Sequence, residues 1–218
     1  MAIKAADVKK LRDATGAGMM DAKKALTEAD GDFDKAVDLL RVAGQAKAAK
    51  RSDREAANGL VVGAGNALVQ IGSETDFVAK NADFVATADK IAKAVDVAKA
   101  DSKDAAAQVQ LDDGKTVAQT LEDLAGTIGE KIELADAAYF EGNTHIYLQR
   151  RSQDMPPQGG VMVEYTGEDT EAVHGVCLQI AAMNPRWVNR DEVPADVIDH
   201  ERTVAAARAR QDGNHEHH

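Results

Sequence analysis

Four short patterns in this 218-residue chain carry residue types that could do chemistry. Gly63-Ala64-Gly65 begins like the glycine turn that seats a dinucleotide pyrophosphate. Leu68 stands where the third glycine belongs, and a strand follows where the mechanism needs a helix N-terminus to hold phosphate. Gly114-Lys115-Thr116 looks like the end of a phosphate loop, but Val109 replaces its leading glycine, so Asp112-Asp113-Gly114 reads more simply as a turn before a helix. His174 and Cys177 fall i, i+3 on an expected helix, close enough to share a metal. No second ligand pair accompanies them, and a core cysteine beside a surface histidine is the simpler reading. His215, His217 and His218 could also bind metal, although a disordered end or a purification remnant explains them as well. There is no G-x-S-x-G, no H-E-x-x-H and no paired-carboxylate spacing. An unrecognised enzyme stays open, but nothing in the chain asks for one; the expectation is a protein that is not an enzyme and needs no metal or cofactor.

The most informative stretch runs from Ser73 to Phe84, reading SETDFVAKNADF. It holds two of the four phenylalanines and sits where a strand gives way to a helix. Phe84 fits the helix's apolar stripe and is expected in the core. Phe77 has two readings. In one, Thr75 caps the helix and Phe77 staples its first turn to the sheet. In the other, Phe77 projects beside Asp76 and Lys80 as an anchor for a partner, since aromatic anchors dominate interface energies. On the residues alone the staple is the simpler of the two.

The elements around this stretch follow from periodicity. Val8 and Leu11 mark a first short helix, with Gly16 as its expected C-cap residue. Met19, Met20, Ala22, Lys23 and Leu26 support a second helix, closed by an Asp30-Gly31 turn. Asp32 is placed to cap a third, whose Phe33, Ala36, Val37 and Leu40 form an apolar stripe. Three helices this short bury little core, as suits a small docking module. Residues 46–58 contain no large apolar side chain and read as an exposed linker or a frayed helix end.

Beyond it, residues 59–62 and 67–73 predict two strands joined at Gly65-Asn66. Helices are expected over about 83–100 and 116–128. Strands return at 132–140 and 144–150, flanking Glu141-Gly142-Asn143 as a hairpin loop, and again at 160–165. Pro156 and Pro157 force a loop between the last two. Helices follow at 169–183 and about 195–210. Grouped strands and helices predict an α+β fold with antiparallel hairpins, and two rounds of hairpin plus helix, near 59–100 and 132–183, hint at two related subdomains.

Composition bounds the function. The chain is 44% hydrophobic, enough for a real core, and its net charge of −11 argues against binding nucleic acid directly. No apolar run approaches the roughly 18 residues that span a membrane, and Met1 leads into charged residues rather than a secretory h-region. With one cysteine, Cys177, the expected setting is soluble and cytoplasmic. The charge is uneven: residues 1–54 hold 12 Lys or Arg and 9 Asp or Glu, while residues 55–218 hold 14 and 28. A balance of +3 followed by −14 suggests two units with different surfaces. The expected division is a docking module with its linker over 1–54, an α+β core over 55–194, and a polar helix with a His-containing tail over 195–218.

Residues 8–26 (VKKLRDATGAGMMDAKKAL) and 74–81 (ETDFVAKN) closely resemble the two signatures of the bacterial elongation factor Ts family. Gly129-Glu130-Lys131-Ile132 and residues 180–185 (IAAMNP) also fit, and the likeness extends over roughly residues 1–203. The resemblance implies a three-helix UBA-like module that docks on the GTPase domain of elongation factor Tu. It also implies an α+β core of the dimerisation type that pushes its Thr-Asp-Phe-Val segment between helices of Tu, disturbing the Mg²⁺ and phosphate site so that GDP leaves. On that basis Asp76 and Phe77 are the wedge, Thr75, Val78, Lys80 and Asn81 support it, and Met19 and Met20 belong to the docking module. Packing between the module's own helices is an equal claim on both methionines. The implied partner is Tu, GDP-bound and nucleotide-free; self-association stays open. Two departures stand out. Gln179 occupies a position where many members carry histidine, and residues 205–218 are polar where the family continues into a helical hairpin and a C-terminal module. The rival reading is an adaptor that uses the UBA-like module on another partner without exchange activity.

Overall fold

A computed structural model describes residues 3–15, 17–51 and 53–211. The expected roles of Gly16 and of the tail histidines lie outside them. Contacts divide the chain into two units, 1–181 and 182–218.

The first unit opens with three helices, α1 (Ala5–Thr15), α2 (Met19–Glu28) and α3 (Phe33–Ala49). Val8, Leu11, Ala22, Ala25, Leu26, Ala29 and Ala36 form their shared core, a set rich in alanine that lets the short helices approach closely. Asp30 and Gly31 both adopt left-handed backbone between α2 and α3, and the Asp32 carboxylate accepts the Lys35 N–H as the expected cap. This is a three-helix module of the UBA-like kind. α3 runs four residues into the stretch expected as linker, ending at Ala49.

The core begins with strands β1 (Asn58–Ala64) and β2 (Ala67–Ser73), paired as an antiparallel hairpin across Gly65-Asn66. Alternation sets their faces. Leu60, Ala67, Val69 and Ile71 point into a core shared with helices α5 (Ala82–Ala98) and α7 (Val117–Ile128), where Phe84, Ala88, Ile91, Val95, Val117 and Leu121 are buried. A four-residue helix, α4 (Asp76–Ala79), precedes α5, and α6 (Lys103–Gln108) lies between α5 and α7. α6 escapes sequence periodicity because six alanine-rich residues form no stripe.

Strand β3 (Ile132–Tyr139) corrects the sequence reading. It pairs with β2, not with the strand that follows, giving a sheet ordered β1-β2-β3. The loop at 141–143 is therefore a crossing between sheets and not a hairpin turn. Asn66 holds it there, donating its side-chain amide to the carbonyls of Phe140 and Gly142. Strands β4 (Asn143–Gln149) and β5 (Gly159–Tyr165) form the second sheet, which packs on the opposite face of β1. Ile146 there approaches Gly63, and Gly160 sits so close to Val61 and Leu68 that a side chain would not fit. Helix α8 (Thr170–Met183) follows, its one fully buried side chain Cys177. The second round of hairpin plus helix is thus β4, β5 and α8, starting at residue 143 and not at 132.

Gly44 of α3 meets the backbone of Gly126 in α7 so closely that it could not carry a side chain without displacement. Arg41 and Lys115 both reach the Asp123 carboxylate, at 3.4 and 2.6 Å. They bound a cleft of about 450 Å³ between the helical module and α7. The second unit holds a short 3₁₀ turn at Arg190–Glu192 and helix α9 (Ala195–Gln211), which buries no residue. Among the described residues no helix is long and apolar enough to cross a membrane.

Candidate interaction site

Strand β2 delivers the chain to Ser73, whose side chain is fully buried and donates to the Thr75 carbonyl at 2.9 Å. The next residue, Glu74, has a side chain only 9% exposed. A carboxylate in that position needs several donors, and it has them. Lys131 N–H donates at 2.6 Å, Arg54 at 3.0 Å, and one Arg51 nitrogen lies 3.1–3.2 Å from both oxygens. Burial pushes the Glu74 pKa upward, but the hydrogen bonds from Lys131, Arg54 and Arg51 outweigh it and leave the carboxyl below its usual value of 4.5.

Thr75 occupies the N-cap position of α4 but does not cap it with its side chain. Its hydroxyl lies 3.0 Å from both oxygens of Glu130, and its N–H donates to the same carboxylate at 3.1 Å. That corrects the sequence reading of Thr75 as a helix cap: the hydroxyl is committed to Glu130. Glu130 reaches the corner because α7 stops at Gly129, whose φ of +82° turns the chain towards β3.

The staple reading of Phe77 is also overturned. Its side chain is 80% exposed, while Val78 and Ala79 beside it are buried in the core. Phe77 and Phe84 would share a face of one continuous helix, but the helix breaks between them. Asn81 starts α5 afresh, accepting the N–H groups of Asp83 and Phe84 at 2.9 and 3.1 Å. Phe84 is buried; Phe77, on its own short turn, points outward. Asp76 beside it is half-buried.

The other residues expected to support the corner divide by task. Val78 anchors it by burial, and Asn81 fixes the start of α5. Lys80 forms an ion pair with Asp154 at 2.9 Å, across 74 residues of sequence. That hydrogen bond raises the Lys80 pKa, while bonds from Ser152 and Lys80 lower that of Asp154 to about 2. The methionines lie elsewhere, at the start of α2. Met19 is 48% and Met20 74% exposed, so packing between the module's helices leaves about half of Met19 and most of Met20 uncovered.

The catalytic-looking fragments take structural roles. Gly65 makes the β1–β2 turn with φ +53°. Lys115 pairs with Asp123, and Thr116 forms a reciprocal capping box with Gln119 at the start of α7. Burial pushes the Cys177 thiol pKa up, while His174 is exposed and shares a hydrogen bond with His145 at 3.1 Å. Among the described residues no three His, Cys, Asp or Glu side chains are grouped to hold a metal.

A buried scaffold carrying the exposed Phe77, joined to a small helical module with exposed methionines, defines an α+β protein. Comparison with known proteins gives the family. The profile of the family described as Elongation factor TS matches residues 74–218. Elongation factor Ts of Cutibacterium acnes is 74% identical over 216 residues, covering 99% of this chain and 80% of the relative. The proteins of the same name from Nocardioides sp. and Mycolicibacterium vanbaalenii are 54% and 53% identical, covering 98% and 97% of the chain and 79% and 78% of the relatives. The chain belongs to the elongation factor Ts family of translation elongation factors.

The residues that periodicity and motif matching left without a role are Arg51, Arg54, Glu130 and Lys131. The one signal for the last two was the Gly129-Glu130-Lys131-Ile132 motif, which stood in the sequence unassigned.

Proposed function

We propose that this chain is a guanine-nucleotide exchange factor. It binds elongation factor Tu carrying GDP and promotes GDP release by inserting the Asp76–Phe77 corner near the Mg²⁺ and phosphate site. Membership of the family supports Tu as the partner. The single observation that carries the corner's role is an 80% exposed phenylalanine on a turn whose neighbours are buried or hydrogen-bonded. An isolated exposed aromatic gains nothing for the fold, whereas in an interface it is the commonest kind of anchor.

The physical requirement is modest. GDP is held because Mg²⁺ and backbone amides neutralise its phosphates. A partner that binds nucleotide-free Tu more tightly than Tu·GDP weakens nucleotide binding by the same factor. No bond is made or broken, so the chain acts as a shaped surface and not as an enzyme. Asp76 brings a negative charge next to the wedge, where it opposes phosphate and competes for cations. The helical module supplies a second contact through Met19 and Met20, flexible apolar side chains that adapt to an irregular surface.

The test is to load Tu with a fluorescent GDP, add the chain with excess unlabelled GDP, and follow the loss of signal. Release accelerated in proportion to the chain, then saturating, is the expected result. Binding without acceleration would instead support the adaptor reading, in which the helical module alone makes the contact.

A further inference from the structure

Helix α4 has four residues, too few to hold its own direction, and no side chain caps its start. Something else must aim Phe77. The structure supplies a crossed pair of carboxylates: Glu74, just before the corner, accepts the N–H of Lys131, and Glu130, just before Lys131, accepts the N–H of Thr75. Each acid holds the residue that follows the other. The two segments, 55–57 residues apart in sequence, are thereby locked side by side.

Both acids are engaged on more than one side. Glu130 also takes the Thr75 hydroxyl, and Glu74 takes Arg51 and Arg54 from the segment that follows α3. The Asn58 side-chain amide donates to the Glu74 carbonyl at 2.9 Å, and Ser73 holds the Thr75 carbonyl. The backbone from 73 to 75 is therefore fixed before Phe77 is reached, and Val78 and Ala79 pin it on the far side.

We infer that Glu130, crossed with Glu74, is a positioning residue that pre-sets the direction of Phe77. This rests on reading the corner as the wedge. A wedge on a loose loop must be ordered as it enters its partner, and that ordering opposes insertion. A clamp that does the ordering in the free protein removes the cost from the exchange step. Because the helical module supplies a separate contact that holds the partner, loss of the clamp falls on the maximal rate of GDP release and not on the concentration needed for half-saturation.

The experiment compares the full chain, Glu130→Ala and Glu130→Gln, each checked for an unchanged melting curve. Two quantities are read: amide hydrogen exchange at Thr75 and Phe77 in the free protein, and GDP release from Tu titrated with the chain. Glu130→Ala is expected to speed amide exchange at the corner at least about tenfold. It should lower the maximal release rate about tenfold, with half-saturation changed less than about threefold. Glu130→Gln keeps an acceptor for Thr75 and should recover both to within about threefold. Unchanged amide exchange in Glu130→Ala overturns the inference even if release slows, because Glu130 would then be touching the partner directly. Loosened amides with undiminished release overturn it as well, since rigidity would not be used. Failure of the unmodified chain to accelerate release counts against the exchange reading alone. In that event amide exchange still decides whether Glu130 orders the corner.

Discussion

Two exposed apolar points of the first unit, the Met19–Met20 pair and Phe77, are built in opposite ways. Met19 and Met20 stand at the start of α2, where Gly18 offers no side-chain cap and Ala22, Ala25 and Leu26 form the buried face. Phe77 stands on a turn fixed by two carboxylates, a buried serine and two buried residues directly after it. Methionine has three flexible torsions and fits many surfaces; phenylalanine has two and a rigid ring. Under the proposed exchange function this is a division of labour, with the adaptable contact for docking and the stiff one for displacement. Surface charge follows the same line, because the basic residues are concentrated in the first 54 positions and the acidic excess lies on the core.

The comparison can be strained first through the two phenylalanines seven residues apart. Phe84→Ala removes a fully buried ring and should destabilise the fold by about 3–5 kcal/mol in denaturant titration. Phe77→Ala, at an exposed site, should change stability by no more than about 0.5 kcal/mol. A large loss from Phe77→Ala would return it to the role of staple.

Glu74→Gln should have the next largest effect. Its charge-assisted hydrogen bonds imply a loss of about 1.5–3 kcal/mol at neutral pH. The pH dependence has a definite sign. A carboxyl whose folded pKa lies below its unfolded value stabilises the fold above that unfolded value, and the contribution disappears as pH falls through the folded pKa. Urea midpoints of Glu74→Gln and the unmodified chain should therefore differ at pH 7 and converge as pH drops below about 4.5. A gap independent of pH would mean that the negative charge of Glu74 is not the source of its stabilisation.

The smallest effect belongs to the adaptable point. Met20→Ala, which removes a 74% exposed side chain, should raise the half-saturating concentration for Tu about threefold and leave stability unchanged. A change in maximal rate would erase the distinction between docking and displacement.

Local signals carried most of the architecture. Apolar spacing located the three short helices, α5 and α7, and Gly65-Asn66 marked the first hairpin. Two features could not be reached that way. The pairing of β3 with β2 spans a long excursion through four helices, and Glu141-Gly142-Asn143 has the residues of a hairpin loop. The ladder runs from Ala67 opposite Tyr139 to Ser73 opposite Ile132, and Asn66, far away in sequence, holds the carbonyls of Phe140 and Gly142 beyond it. The corner was half legible. Two phenylalanines at a strand–helix junction singled it out, but the outward direction of Phe77 depends on Asn81 restarting the helix. Its bracing depends on Glu130, Lys131, Arg51 and Arg54, all 20 or more residues from Glu74 or Thr75. Such contacts leave no period in the sequence.

The most direct test of the corner's role is the rate of GDP release from Tu at saturating concentrations of Phe77→Ala. The expected result is a rate at least about tenfold below that of the unmodified chain, with Tu still bound through the helical module. A Phe77→Ala protein that releases GDP as fast as the unmodified chain would contradict the account.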